Sequence, residues 1–262
     1  MGLALVTGAT GGIGRALCAV AAADGYDLLI TDVAGVDALA EELRARFSVE
    51  VAPYAFDLSE LEQARALVAA VADQPIEALL HGSGVDIFSR FDHLDPAEIE
   101  SLLNVNLVSQ VLVTRGVVSG MVARGRGRIL TMASTAGFKA NPYQSTYSGS
   151  KAFMLLFSEG LHLELKEAGI GVTCLAPGST NTPFFRTAGI PVSDAQVAGF
   201  MDPSEVATQA WKSLNAGEFL VVPGLKNQAQ YHLAHWAPKA MIHRWATWRA
   251  NHRRSSSGGS DE

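Results

Sequence analysis

Short, nearly continuous apolar runs alternate along the chain with longer stretches in which apolar residues recur every three or four positions. The runs are Leu3–Thr7, Asp27–Thr31, Val51–Phe56, Ala78–His81, Arg128–Ala133, Gly171–Ala176 and Phe219–Val222. Most lack apolar–polar alternation, as strands buried on both faces of a parallel sheet do. Helical spacing marks Gly12–Ala23, Val36–Phe47, Glu60–Ala72, Pro96–Ala123, Thr146–Glu167 and Pro203–Asn215. Two helix starts carry their own signals. Ser59 has Glu62 three residues on, a capping-box spacing, and Asp95-Pro96 sets a proline at the first helical position behind an Asp cap. Repeated β–α alternation predicts an α/β fold, a single doubly wound Rossmann-type domain with a mostly parallel seven-stranded sheet. Ligands of such sheets bind beyond the carboxyl ends of the strands.

Candidate chemistry begins where the first strand meets the first helix. Thr7-Gly8-Ala9-Thr10-Gly11-Gly12-Ile13-Gly14 forms a tight turn there. Backbone N–H groups and the helix dipole at such a junction face an anion, typically a pyrophosphate. The spacing is G-x-x-x-G-x-G, because Leu17 stands where a third glycine of the commoner pattern would fall. Asp32 closes the second strand eighteen residues past Gly14 and is suited to the two ribose hydroxyls of an adenosine. It would repel a 2′-phosphate, and Val33 beside it supplies no cation. These residues point to NAD rather than NADP.

Tyr147-Ser148-Gly149-Ser150-Lys151 opens a helix, so Tyr147 and Lys151 share a face. A free phenol titrates near 10 and is a poor base at neutrality, but a neighbouring ammonium favours the phenolate. A bound oxidised nicotinamide would act in the same direction. The pair can then exchange the hydroxyl proton of a substrate while hydride moves.

In chain order, Thr7–Gly14, Asn106 within Asn104-Val105-Asn106, Ser134 thirteen residues before Tyr147, Tyr147-x-x-x-Lys151, and Pro177-Gly178 with Thr182 resemble the short-chain dehydrogenase/reductase family. The resemblance runs from Leu3 to about Val222. It implies a catalytic set of Asn106, Ser134, Tyr147 and Lys151. Ser134 would hydrogen-bond the substrate oxygen, Tyr147 would be the general acid/base, and Lys151 would tune it and hold the nicotinamide ribose. Asn106, with Asn104 as the nearby alternative, would hold a water joining Lys151 to solvent. The cofactor would contact Gly8, Thr10, Gly11, Gly12, Ile13, Gly14, Asp32, Val33, Asp57, Leu58, Gly82, Ser83, Gly84, Tyr147, Lys151, Pro177, Gly178, Thr180 and Thr182. One stretch departs from the family pattern: His81-Gly82-Ser83-Gly84 stands where Asn-Asn-Ala-Gly is usual. His81, at a buried strand end, reads as a hydrogen-bonded core residue. Family members also form homodimers and homotetramers through the helices holding Asn106 and Lys151.

The substrate would meet Ser134, Tyr147, Phe138, Tyr143, Phe184 and Phe185. Phe88, Phe91, Ile190, Pro191, Val197, Phe200 and Met201 add apolar surface to the same loops, and no arginine cluster marks an anionic substrate. An apolar aromatic, alicyclic or steroid-like secondary alcohol or ketone is the expectation. Two other readings stay open. A non-catalytic dinucleotide sensor would lack Ser134, Tyr147 or Lys151. An epimerase or dehydratase with a retained cofactor would carry a longer C-terminal part.

Composition narrows the setting. At 262 residues and 48% apolar, the chain can bury a substantial core. Cys18 and Cys174 read as buried free thiols, and no Cys/His cluster indicates a metal. The net charge of −6 argues against nucleic acid. No leader pattern precedes Leu3 and no uncharged apolar run would span a bilayer, so a cytoplasmic protein is expected.

The charge is uneven. Residues 226–262 carry six Lys/Arg and two acids, a surplus of +4 against −10 for the rest. The domain reading is therefore 1–225 for the catalytic unit, with a substrate-loop insertion at about 182–203, and 226–262 for a basic, tryptophan-containing extension ending in a flexible tail. Pro238 should break the helical spacing of that extension. A packed lid or subunit contact is the expected role, with membrane contact as its rival.

Overall fold

A computed structural model describes residues 2–256, apart from the side chains at 249 and 251–256. The flexible tail expected at the end of the extension falls on 255–260, of which only 255 and 256, in the last helix, are among the described residues. Seven strands, β1 (Leu3–Thr7), β2 (Asp27–Asp32), β3 (Val51–Ala55), β4 (Ile76–His81), β5 (Gly127–Met132), β6 (Ile170–Leu175) and β7 (Leu220–Val221), form one sheet in the order 3-2-1-4-5-6-7. Every neighbouring pair is parallel. The order reverses between β1 and β4, which opens a crevice at their carboxyl ends.

The helices are α1 (Gly12–Ala23), α2 (Val36–Arg46), α3 (Leu61–Ala70), α4 (Pro96–Leu103), α5 (Ser109–Arg124), α6 (Ser145–Leu165), α7 (Phe184–Thr187), α8 (Asp194–Val197), α9 (Pro203–Ala216), α10 (Leu225–Trp236) and α11 (Lys239–Ser256). One face of the sheet packs Val6, Ile30 and Leu80 against Leu17, Leu39 and Trp211 of α1, α2 and α9. The other packs Leu5, Leu79 and Ile129 against Leu67 and Val117 of α3 and α5. Strand side chains are thus buried on both faces, which is why their sequences run apolar without alternation. Cys18 and Cys174 are both buried and unpaired, and burial pushes the Cys18 thiol up to about 12.

Two local expectations are corrected. Ser59 does not cap α3. The helix starts later, at Leu61, because Asp57 folds the approach into a turn by accepting the Ser59 N–H at 2.8 Å, while Gln63 accepts the Asp57 N–H. The stretch 96–123 is not one α-helix. It starts as expected on Asp95, with a capping box to Glu98, but Asn104–Val108 forms a π-turn between α4 and α5. The continuous helical stretch Pro96–Arg124 is long and apolar enough by composition to cross a membrane, yet its α5 part packs on the sheet through Val113, Val117 and Met121. Pro238 separates α10 from α11, as its missing N–H requires.

His81 is fully buried, with Nδ1 3.4 Å from the Thr7 hydroxyl and Nε2 2.9 Å from that of Thr114. It braces β4 against β1 and α5. Burial, assisted by the Lys151 charge, lowers its pKa from 6.5 to about 3. The unfolded chain therefore binds a proton that the folded chain refuses. Stability is complete above about 6.5 and is lost as the pH falls from there towards 3. In urea melts across that range, His81→Gln should weaken this acid dependence while lowering stability at pH 7. An unchanged slope would contradict the assignment.

Candidate active site

The glycine turn is shaped by backbone contact. Gly8 has φ +61°, and a Cβ on it would lie 2.5 Å from the Ser83 nitrogen. A Cβ on Gly14 would lie 1.9 Å from the Gly8 oxygen, and one on Gly82 would lie 2.6 Å from the Thr7 oxygen. The turn and the end of β4 thus fit only as bare backbone. Gly11 caps α1 with no side-chain hydrogen bond, so the first N–H groups of a twelve-residue helix face the crevice.

A cavity of about 1020 Å³ runs from Thr10–Ile13, past Gly82 and Gly84, to Ser134, Tyr147 and Lys151. Pro177, Gly178, Thr180 and Thr182 form its further wall. Small-ligand sites span roughly 300–1,000 Å³, so this space suits an extended dinucleotide together with a substrate. The bare glycine cradle and the open helix terminus fit the pyrophosphate.

Asp32 sits beside the turn. Its Oδ2 accepts from the Thr10 N–H at 2.9 Å and hydroxyl at 2.6 Å, and its Oδ1 accepts from the Val33 N–H. The Val33 side chain is exposed. Leu58 is buried in the core, where Ser109 donates to its carbonyl, and Ser83 offers its carbonyl to Gln110. Gly8, Gly14, Asp32, Val33, Asp57, Leu58 and Ser83 therefore flank the cavity rather than line it.

Ser134 follows β5. Its Oγ accepts the Ala136 N–H at 3.1 Å and contacts the Pro177 carbonyl at 3.5 Å. Tyr147 and Lys151 project from the first turns of α6, both buried. The Lys151 Nζ donates to the Met132 carbonyl at 3.1 Å and lies 5.6 Å from the centre of the Tyr147 ring. Burial lowers the Lys151 pKa to about 8. The phenol, by contrast, titrates above its ordinary range: burial raises it, the Asp86 charge adds to this, and a hydrogen bond with Ser134 opposes it. The expectation that the neighbouring ammonium lowers the phenol's pKa is thus corrected. Burial is the larger influence.

Asn106 lies in the π-turn, fully buried. It accepts from the Val85 N–H at 2.9 Å and donates to the Val85 carbonyl at 2.8 Å and the Ser150 hydroxyl at 3.2 Å. Asn104 points elsewhere, donating to the Ser59 carbonyl. A Cβ on Gly84 would come within 3.3 Å of the Lys151 Nζ and 3.6 Å of the Asn106 Oδ1, so Gly84 leaves room for both groups.

The substrate end is aromatic. Tyr147, Phe184, Phe185 and Phe200 follow one another with ring centres 5.8, 5.8 and 4.7 Å apart. Phe138 and Tyr143 do not line the cavity. Phe138 packs on Tyr231 of α10 at 4.7 Å, and Tyr143, held at φ 65°, packs on Phe88. Further residues line the cavity, Trp245 among them from the extension expected as a lid or subunit contact. Asp86 accepts a hydrogen bond from Gln144, and Leu225, Asn227, Gln230 and Trp245 come from α10 and α11. The acid two residues past Gly84, at a strand's carboxyl end, was the available signal for Asp86. Lys139 lies with its Nζ 3.9 Å from the centre of the Trp245 ring.

The family model described as short chain dehydrogenase matches residues 2–190. The chain is 32% identical over 215 residues to the acetoacetyl-CoA reductase of Allochromatium vinosum, covering 78% of this chain and 87% of that protein. It is 25% identical over 252 residues to the 7beta-hydroxysteroid dehydrogenase of Collinsella aerofaciens, covering 95% and 90%. Among solved structures, a short-chain dehydrogenase from Sphingobium yanoikuyae in complex with NADPH aligns with a TM-score of 0.83 at 28% identity, over 93% of this chain and 96% of that one. The chain belongs to the short-chain dehydrogenase/reductase family. It is an NAD(P)-dependent oxidoreductase acting on CH–OH groups.

Proposed function

We propose that the chain transfers hydride between NAD and an apolar secondary alcohol or its ketone, with Tyr147 as general acid/base. The observation that carries this reading is the meeting of Ser134, Tyr147 and Lys151 at one end of a cavity whose other end is the glycine turn. A bound nicotinamide dinucleotide supplies the hydride acceptor or donor. The rest is the work of this chain. The Ser134 hydroxyl donates to the substrate oxygen and stabilises charge that develops there. The Tyr147 Oη gives that oxygen its proton, or removes it in the reverse direction. Lys151 holds a positive charge beside the phenol, and Asn106 ties the β4 loop to α6 through Val85 and Ser150. Phe184, Phe185 and Phe200 exclude water and receive the apolar body of the substrate.

Asp32 supports NAD, because a carboxylate at the end of β2, beside the glycine turn, would repel a 2′-phosphate and could accept from ribose hydroxyls. The test is formation of NADH or NADPH with a panel of secondary alcohols. NAD should be preferred, and Asp32→Ala should shift the ratio of kcat/KM values towards NADP by at least about tenfold, since removing one repulsion is worth about 1.4 kcal/mol. Preference for NADP in the unaltered protein would sink this part of the reading.

A second copy of the chain is the proposed partner. Gly149, Phe153, Leu156, Gly160 and Leu163 fall on one face of α6, with the three large side chains exposed and open space at both glycines. Interior glycines weaken a helix by about 1 kcal/mol each, a cost that close approach of another helix would explain. Leu156→Glu should reduce the mass seen in sedimentation equilibrium to that of a monomer. An unaltered mass would place the contact elsewhere.

A further inference from the structure

The C-terminal pair α10–α11 turns one side to the cavity and another to solvent. On α10 the inward side carries Asn227, Gln230, Tyr231 and Ala234, all at least partly buried. The outward side carries Leu225, Ala229, Leu233 and Trp236, which fall within one narrow arc of the helix. Leu225 is 84% exposed, Leu233 64% and Trp236 83%. On α11, Met241, Trp245 and Trp248 repeat the arrangement, each exposed, with Arg244 among them. Single exposed apolar residues are ordinary, but a stripe of this length is not.

The charge around the stripe has one sign. No acid occurs between Glu218 and Asp261, while Lys226, Lys239 and Arg244 are exposed on these two helices. Exposed tryptophans and leucines flanked by cations are the chemistry of a helix lying in the headgroup region of a bilayer. Two copies meeting through this surface about a two-fold axis would instead press like charges together. Leu225 and Trp245 both line the cavity and reach solvent, so the stripe borders the cavity mouth.

We infer that α10 and α11 dock on an anionic lipid surface, with Leu225, Leu233, Trp236 and Met241 in the headgroup layer and Lys239 and Arg244 over anionic headgroups. The cavity mouth then faces the bilayer, and a lipophilic substrate enters from lipid. Docking goes beyond the catalytic reading and does not depend on turnover.

The test sediments the full chain with vesicles of phosphatidylcholine alone and of phosphatidylcholine mixed with phosphatidylglycerol. Binding should require phosphatidylglycerol and fall as salt rises. Leu233→Glu with Trp236→Glu, and separately Lys239→Glu with Arg244→Glu, should each weaken it about tenfold or more, with circular dichroism unchanged. Equal sedimentation with both vesicle types, no sedimentation with either, or double variants that bind like the unaltered chain would each overturn the inference. A change of oligomeric mass on Leu233→Glu with Trp236→Glu, without vesicle binding by the unaltered chain, would assign the stripe to a second copy and overturn it as well.

Discussion

Tyr147→Phe should lower the rate of NADH formation by about 10²–10⁴-fold, the range a positioned acid/base contributes, while leaving cofactor affinity within a few-fold of its original value. The substitution removes one oxygen from a buried ring that packs on Phe184 at 5.8 Å. The aromatic wall therefore persists, and the loss falls on proton transfer. The direction of the phenol's pKa gives the pH dependence. Burial and Asp86 hold it above its ordinary value, so at neutrality the phenol keeps its proton. Ketone reduction, which needs that proton, should run at neutral pH and fall in alkali. Alcohol oxidation, which needs a vacant phenolate, should climb with pH. Both slopes should vanish in Tyr147→Phe. Initial rates in the two directions from pH 6 to beyond 10 provide the measurement, and a variant that keeps its activity would remove Tyr147 from the mechanism.

The second large effect is expected from a single methyl group. In Gly14→Ala the new carbon would stand 1.9 Å from the Gly8 oxygen and 2.7 Å from its carbonyl carbon. Gly8 has nowhere to retreat, because it already lies against Gly82 and Ser83, and no flexible side chain is available to move aside. Overpacking of this kind costs about 3 kcal/mol. The melting temperature should fall by roughly 6–12 °C. Because the turn must open to accept the methyl group, affinity for the dinucleotide should fall by about a hundredfold. Calorimetry and NADH fluorescence titration measure the two effects. Gly149→Ala serves as the contrast, since open space surrounds that position, and it should leave the cofactor site untouched. If Gly14→Ala binds NADH normally, the backbone stack is not what shapes the cradle.

The sheet was legible because burial on both faces makes each parallel strand an apolar run, and all seven lie within two residues of their expected bounds. The seventh is shorter than expected, being an edge strand stopped at once by Pro223-Gly224. The glycine turn, Ser134, Tyr147 and Lys151 were legible because strand ends and a helix start carry them. The π-turn was not. Val105, Leu107 and Val108 are apolar on several sides, so slipping the helix by one residue leaves no gap in the pattern. Phe138 and Tyr143 were assigned by nearness to Tyr147 in sequence, but φ 65° at Tyr143 and the aromatic contact with Tyr231 direct them away from the cavity. The helical spacing of the C-terminal extension allowed a packed lid, but which of its residues reach the cavity depends on contacts between parts far apart in the chain, and no local spacing encodes that.

The π-turn at Asn104–Val108 also limits how this part of the chain can vary in length. It amounts to one residue more than a regular helix needs, and each residue advances an α-helix by about 100°. Deleting one residue there would restore a smooth helix but rotate one end against the other. If the α4 side kept its seat, Val113, Val117 and Met121 would swing off the sheet. If α5 kept its seat, Asn106 would lose its hold on Val85. The extra residue lets one rod obey two incompatible phases, and insertions or deletions in this segment should be far less tolerated than point substitutions.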